Sequence, residues 1–489
     1  MGVFDSAEAS NWLFRLVNKL HYGTRESVIR PEVLFRAGAP FDSAAAAESV
    51  RNLRALGLFR DINIIPVHTD SGTVERLTTW DAWSTTIGLD AQSTGNQVSY
   101  NAAFIESNFL GTGSRVLARY GKYPDHTALE LEFAHPRLIS NRIGVDLYHQ
   151  QRSDGNQTVV TLDQPFRALA SPSGISLTAR EFDGRVLRYF AGQPVASDTQ
   201  ENRTAQLVFQ AARAIHADAA GYLRIGLIAQ LLRNDYAEES ATAPFPQHVV
   251  FTAGPTLSLS RAHFKTTTNY EHLQLTEDVD LSSTLTVGAL VVTKAGGDTR
   301  NGIAPFTTFR VGAEIPDGFG ILGGLASGLF SSSGLDSGTA VVAGTAILRL
   351  GGNRQRLLLH VEGGVSRNAA PVDQFDLGFG LGPRAFGSHA FTGDRYHFST
   401  AEYRYTLVPE VGRILGIGLA AFADYGGAWF AGAAPRTGTD VGVGVRLGPT
   451  RQADLRTLRV DLVRRLANDV LDAGWVIVFG KGFTFSLAQ

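Results

Sequence analysis

The chain has 489 residues with a formal net charge of −2, and it contains 53 glycines and no cysteine. The lack of cysteine excludes disulfides, thiolate metal sites and a cysteine nucleophile, and the near-neutral charge gives no electrostatic case for a nucleic-acid partner. No uninterrupted apolar run of about 18 residues or more occurs, so the sequence predicts no transmembrane helix.

Residues 1–11 form a short polar tail with neither the basic segment nor the apolar segment of a signal peptide. Taken literally, this tail predicts a chain that is not exported. Any location that needs export would therefore require either that the natural start lies upstream of Met1 or that this is a processed or trimmed chain.

Residues 12–83 are predicted to form a small α/β module. Its elements are a strand over 12–17, a helix over 26–36, a helix that begins after Asp42 and ends at Gly57, and strands over 62–66 and 73–79. Asp42 is a favourable N-cap residue, and Gly57 suits a helix C-terminus. The order strand, helix, helix, strand, strand separates this module from the rest of the chain.

Residues 84–489 are predicted to be a succession of β-strands, because apolar and polar residues alternate with a period of two between turn residues. In Thr127–Phe133, for example, Leu129 and Leu131 share one face while Glu130 and Glu132 share the other. An apolar outer face and a polar lumen are typical of membrane β-barrels, whose strands need roughly 9–11 residues to cross. The segments number roughly eighteen to twenty by this alternation.

Several short sequences resemble one family in the expected chain order. They are Thr24–Arg30, Leu34–Asp42, Arg51–Asp61, Thr79–Ser84, Glu106–Gly113, Phe133–Leu138, Thr276–Leu281, Phe422–Trp429, Val443–Arg446 and Leu458–Leu462. Together they resemble the BamA/TamA and two-partner-secretion transporter superfamily, which joins periplasmic POTRA domains to an outer-membrane barrel. The resemblance implies a mainly β fold, with an antiparallel barrel of about sixteen strands over 84–489, preceded by one POTRA domain over 12–83.

The loop before the fifth strand from the end carries the motif that the family writes as (V/L)RG(F/Y), on a segment folded into the lumen. Here the motif reads Pro383-Arg384-Ala385-Phe386-Gly387. The resemblance implies that the Arg384 guanidinium reaches two acids on the inner wall, Asp424 and Glu402. A planar guanidinium can bind a carboxylate through two hydrogen bonds, which would hold the loop in one geometry. Ala385 replaces the family glycine, and it would be strained if that position needed a positive φ.

The last segment, 474–489, is predicted to be a membrane strand that ends the protein. Its odd positions carry an apolar, lipid-facing row that includes Trp475, Ile477, Phe479, Phe483, Phe485 and Leu487. Gly480, Gly482, Phe485 and Leu487 resemble the C-terminal assembly signal of outer-membrane barrels. The alternative is an ordinary hairpin strand of a soluble β-protein.

The resemblance implies a protein of the bacterial outer membrane, with its POTRA domain in the periplasm. It would insert or export unfolded client polypeptides, in contact with outer-membrane lipid and possible periplasmic accessory proteins, and without nucleic acid. The first and last strands would part, while the loop bearing Arg384 controls the lumen. Two alternatives remain open: a passive pore or surface protein, and the transporter part of a patatin-like lipase fusion. We expect no catalytic residue, cofactor or metal site, because no sequence motif for one is present.

Overall fold

In the computed structural model, the described residues are 22–35, 38, 40, 42–69, 72–82, 84–94, 97–139, 142–166, 169–190, 193–195, 199–238, 248–270, 273, 276–368, 373–412, 415–450, 456–468, 471–483 and 485. The predicted strand over 12–17 and the signal residue Leu487 lie outside the described residues. Within this part of the chain, no helix combines the length and apolar character needed to cross a membrane.

Where the structure describes it, the front module contains two α-helices, a 3-10 helix and a two-stranded sheet. These are α1 (Glu26–Ile29), followed by a 3-10 helix (Arg30–Glu32), α2 (Ser43–Ala55), β1 (Phe59–Thr69) and β2 (Gly72–Asp81), with β1 and β2 antiparallel. The Asp42 carboxylate accepts the Ala45 N–H at 3.1 Å, and Gly57 has a φ of 68°, so both predicted ends of α2 are confirmed. The helix expected over 26–36 is much shorter, since Pro31 has no N–H with which to continue it.

In the described part of the remaining chain, nearly all regular structure is strand, apart from a 3-10 helix at Lys294–Gly296. The strands are β3 (Thr85–Thr94), β4 (Gln97–Phe109), β5 (Ser114–Lys122), β6 (Thr127–Ile139), β7 (Ile143–Arg152), β8 (Gly155–Gln164), β9 (Ser173–Val186), β10 (Tyr189–Phe190), β11 (Gln193–Pro194), β12 (Gln200–Asp218), β13 (Gly221–Glu238), β14 (Val249–Arg261), β15 (Phe264–Thr268), β16 (Thr276–Asp280), β17 (Ser283–Val292), β18 (Gly302–Ile315), β19 (Gly318–Ser331), β20 (Gly334–Arg349), β21 (Gln355–Arg367), β22 (Phe375–Leu377), β23 (Phe391–Gly393), β24 (Arg395–Val411), β25 (Leu415–Trp429), β26 (Thr437–Pro449), β27 (Leu458–Arg465) and β28 (Gly474–Lys481).

Among the described residues, 20 of these strands form a closed antiparallel barrel: β3–β9, β12–β14, β17–β21 and β24–β28. The expected number of sixteen is therefore wrong. That number came from the family resemblance, whereas each alternating segment pairs with its sequence neighbour, as antiparallel strands joined by turns do. The remaining short strands form the hairpins β10–β11, β15–β16 and β22–β23, which are not hydrogen-bonded into the ring.

The two faces of the barrel wall follow the predicted alternation. Leu131, Trp475 and Ile477 point outward and are 46%, 65% and 54% exposed, whereas Glu130 and Asp461 point inward and are buried. An apolar outer surface of this kind is typical of a barrel surrounded by lipid.

The non-alternating stretches over 192–202, 236–246 and 368–396 predict three external loops. The first two loops are shorter than predicted, because β12 includes Asn202 and β13 includes Tyr236. The third, predicted over 368–396, enters the barrel.

Candidate functional site

The loop between β21 and β24 folds into the lumen and carries the predicted motif. Gly378, Gly380 and Gly382 precede Arg384 with φ values of 136°, 96° and 99°, a conformation that residues with a Cβ rarely adopt. Ala385 is not among the residues with positive φ, so replacing the family glycine introduces no backbone strain there. The three glycines, rather than position 385, provide the unusual turns.

Arg384 is buried against the inner wall and contacts both acids named from the sequence. Its Nη2 lies 2.7 Å from Glu402 Oε2, and its Nε lies 3.0 Å from Asp424 Oδ2. Its guanidinium also lies over the Phe422 ring, 3.6 Å from the centroid, a cation–π geometry. Burial lowers the pKa of the Arg384 guanidinium, but the carboxylates of Asp424 and Glu402 outweigh this and raise it above its ordinary value. The loop therefore carries a permanent positive charge into the lumen.

Sequence reasoning missed the other half of this charged network. Arg446 binds Glu402 through Nε at 3.2 Å and Nη2 at 3.0 Å, and its Nη1 reaches Asp461 Oδ1 at 2.5 Å. Asp461 Oδ2 also lies 3.5 Å from Arg384 Nη1, while Arg404 Nε donates to Glu402 at 2.5 Å. The sequence feature that could have indicated this network is a charged residue at an inward position on each of four neighbouring strands, β24–β27.

The rest of the motif is fixed by packing and by backbone hydrogen bonds. The Ala385 N–H donates to Asp440 Oδ2 at 2.9 Å, and its carbonyl accepts from Arg465 Nη1 at 3.1 Å. Phe386 is fully buried beside Phe391, and a Cβ at Gly438 would lie 2.3 Å from the Phe386 ring. Gly438 therefore leaves the space in the wall that the Phe386 ring fills.

The barrel closes between β28 and β3 at a seam with very little pairing. Among the described residues, only Val478–Thr94 and Phe479–Ser93 are in register there, whereas eight residue pairs join β27 to β28 and ten join β3 to β4. The seam is thus the weakest joint that the described barrel strands form.

The lumen loop contacts both sides of this seam. On one side, the Ser388 N–H donates at 2.5 Å to the side chain of Gln97, which is in β4 and is the register partner of the seam residue Thr94. On the other, the cluster around Phe386 includes Val476 and Val478 of β28. Movement of the loop would therefore change the support behind the seam.

The C-terminal strand ends earlier than predicted, at Lys481. Gly482 has a φ of 63°, which turns the chain into the barrel, and Phe485 is buried with its ring stacked 3.9 Å from that of His360. The expected outward orientation of Phe485 is therefore wrong, because the strand period ends at the Gly482 turn. At Gly480 a Cβ would lie 2.8 Å from the Arg459 guanidinium, so the glycine makes room for Arg459. A role for these residues as an assembly signal stays a prediction.

The described residues contain no cluster of three or more His, Cys, Asp or Glu residues placed to hold a metal ion.

The sequence matches no family model, and it matches no curated protein at a significant level. Among solved structures, it is similar to BamA from Haemophilus ducreyi lacking POTRA domains 1–3, with 10% identity and a TM-score of 0.47 over 94% of this chain and 82% of that one. It is also similar to CdiB from Acinetobacter baumannii, with 12% identity and a TM-score of 0.46 over 94% and 72% of the two chains. For CdiB from Escherichia coli the values are 13% and 0.48, over 92% and 73%. Because these superpositions are loose, the assignment of a closed barrel depends on the strand pairing within this chain and not on these similarities.

Proposed function

We propose that this chain is an outer-membrane barrel that inserts or exports client polypeptides, with residues 12–83 acting as a periplasmic POTRA domain. The observation that carries the proposal is the two-pair seam in a ring whose other joints each have eight or more register pairs among the described residues. Each lost register pair removes backbone hydrogen bonds, so this joint opens at a lower free-energy cost than any fully paired neighbour.

The mechanism has three steps. The exposed edge of the front sheet captures an extended segment by adding it as a strand. The β28–β3 seam then parts, and its unpaired backbone groups become available to the client. The loop that carries Arg384 sets the resting position of the seam, since its contacts reach both sides.

A disulfide across the seam tests the proposal directly, because the chain has no native cysteine. Thr94→Cys with Val478→Cys joins two residues that are register partners. A matched control, Thr178→Cys with Val208→Cys, joins partners in β9 and β12, far from the seam.

In proteoliposomes, we expect the oxidised seam variant to lose assisted insertion of an unfolded eight-stranded outer-membrane barrel and to recover it on reduction. The control pair should be active in both states. Full activity with the seam locked would contradict the proposal.

The rival function is a passive pore. A pore would conduct ions steadily whatever residue occupies position 384, whereas a loop-controlled barrel should change its conductance when Arg384 is replaced. Planar-bilayer recording of the wild type and Arg384→Ala separates the two.

A further inference from the structure

The hairpin β15–β16 forms a layer between the barrel wall and the front module. Lys265 and Val279 are register partners, so their side chains share one face, and that face meets the wall, where Lys265 pairs with Glu314. The other face meets helix α2. There Arg54 lies 3.6 Å from Asp278, and Arg51 lies over the Phe264 ring at 5.6 Å from its centroid.

The hairpin segment lies against glycines at both of its ends. At its base, a Cβ on Gly312 of β18 would lie 2.4 Å from the Leu281 Cα. At its tip, a Cβ on Gly448 would lie 2.9 Å from Leu273 Cγ, and a Cβ on Gly416 would lie 3.0 Å from Leu273 Cβ. β18 and β25–β26 are not neighbours in the ring, so the segment from Leu273 to Leu281 reaches between separate parts of the wall.

Beneath the hairpin, the inner wall is apolar, although the lumen elsewhere is charged. The patch consists of Phe319, Ile321, Ile347 and Leu358, which are 3%, 6%, 3% and 3% exposed. It packs against Tyr270, Val279 and Leu281 of the hairpin segment. An apolar patch on the inner wall would be costly if it faced water, so the wall is built to be covered by an extended segment with apolar residues at alternate positions.

The hairpin does not fill this region completely. A cavity of about 590 Å³ lies beside it, with Lys265, Glu314, Phe319 and Arg356 among its lining residues. The site therefore has room for a segment with larger or longer side chains than those of the hairpin.

We propose that the inner-wall patch of Phe319, Ile321, Ile347 and Leu358 is a docking surface for an extended client segment with alternating apolar side chains, and that the β15–β16 hairpin occupies it at rest. The occupant is inferred from the hairpin itself, because the site already fits a strand of that pattern. On the side of helix α2, the contacts of Arg54 with Asp278 and of Arg51 with Phe264 are exposed, so they hold that face of the hairpin weakly. On the wall side, Arg356 donates to the Thr268 carbonyl at 3.1 Å and Arg404 to the Tyr270 carbonyl at 3.3 Å, so a client must replace these contacts to displace the hairpin. This inference rests on the proposed function and names where a client binds.

A variant without the hairpin exposes the patch. Arg261 and Ser283 are register partners in β14 and β17, so an Asn-Gly turn can replace residues 262–282 without disturbing the barrel. The probe is a fluorescently labelled synthetic peptide with the sequence of residues 263–281. Fluorescence anisotropy in detergent measures its binding.

We expect the peptide to bind the hairpin-free variant saturably and to bind the wild type at least about tenfold more weakly, because the intact hairpin occupies the site. Phe319→Ala or Ile347→Ala in the hairpin-free variant should weaken binding by roughly 10- to 100-fold, through loss of buried apolar contacts. The matched control is Leu322→Ala, which removes an outward side chain of β19 that is 46% exposed and should leave binding unchanged. A scrambled peptide without the alternation should not bind.

No binding to a folded hairpin-free barrel, or equal binding by the Ile347→Ala variant, would overturn the proposal. If the hairpin-free variant does not fold, Leu273→Asp provides the second test. It places a charge against Gly416 and Gly448, so it should release the tip and increase peptide binding over the wild type. The seam disulfide tests the transport function separately. If the disulfide blocks insertion but the peptide does not bind, only the docking site is rejected.

Discussion

At the scale of single residues, the lumen is held by a buried cluster with four arginines and four acids. All are buried except Arg404, whose side chain is 13% exposed. The members are Arg384, Arg404, Arg446, Arg459, Glu402, Asp424, Asp440 and Asp461. Buried charges are tolerated only when they are paired, because desolvation is costly and must be offset by close partners. The loop that carries Arg384 therefore has one well-defined position.

Replacing Arg384 should release the loop without unfolding the barrel. Arg384→Ala leaves Glu402 and Asp424 without one of their cations, and the loss of one partner from a buried pair costs about 3–5 kcal/mol. We expect much faster maleimide labelling of a Ser388→Cys reporter. Arg384→Lys should recover only part of the protection, because an ammonium cannot present the planar fork.

The matched control is Arg349→Ala, which removes an ion pair with Asp317 whose side chains are 50% and 69% exposed. Exposed pairs contribute about 0–1 kcal/mol, so the reporter should label at the wild-type rate. Equal labelling of the Arg384→Ala and Arg349→Ala proteins would show that the cluster does not hold the loop.

The aromatic anchor can be tested without changing any charge. Gly438→Ala places a methyl group 2.3 Å from the Phe386 ring, so the ring must move and the loop should label faster. In Gly344→Ala, by contrast, the new Cβ has its nearest neighbour at 3.7 Å, and the labelling rate should not change. Unchanged labelling in Gly438→Ala would mean that Phe386 does not position the loop.

At the scale of elements, the turn between β4 and β5 joins the front module to the barrel. The Asn108 side chain, only 2% exposed, donates to Thr24 Oγ1 at 2.8 Å and accepts the Gly113 N–H at 2.9 Å. A Cβ on Gly111 would lie 2.4 Å from the Gly23 carbonyl oxygen. The turn therefore combines a buried amide with a glycine that allows the two backbones to approach.

Removing the Asn108 amide should loosen the module. Asn108→Ala leaves buried polar groups without partners, at about 1–3 kcal/mol, and should speed proteolytic cleavage between β2 and β3. Asn156→Ala, at an exposed position of β8, is the control and should be cut at the wild-type rate. The docking role of the turn fails if both variants are cleaved equally.

At the scale of the whole molecule, we expect lipid around the barrel, because its outward side chains are apolar. Trp475 is 65% exposed on the outer face of β28, whereas Trp80 lies in the front module. In single-tryptophan variants in liposomes, brominated lipids should quench Trp475 strongly and Trp80 weakly. A protein that stays soluble without detergent, with Trp475 unquenched, would contradict the membrane location.

Much of the wall could be predicted because its signal is local. In β27, for instance, the period of two alone assigns Arg459 and Asp461 inward and Leu462 outward, and burial confirms all three. The site was partly predictable as well: Arg384, Glu402 and Asp424 were named from motif positions, and the structure places the Arg384 guanidinium within 3.0 Å of a carboxylate oxygen of each acid. Arg446 was not named, because nothing local says which inward charges on separate strands meet.

By itself, then, the sequence determined the alternating faces and the glycine turns, since each depends on neighbours along the chain. The inward loop with Arg384 was expected from the family resemblance. Only the tertiary structure decided the closure at 20 strands, the two-pair seam and the inward turn at Gly482. The same holds for the apolar inner-wall patch beneath β15–β16. These features depend on how far the ring must curve before its ends meet and on which distant side chains then share the lumen, and alternation within one strand carries no information on either.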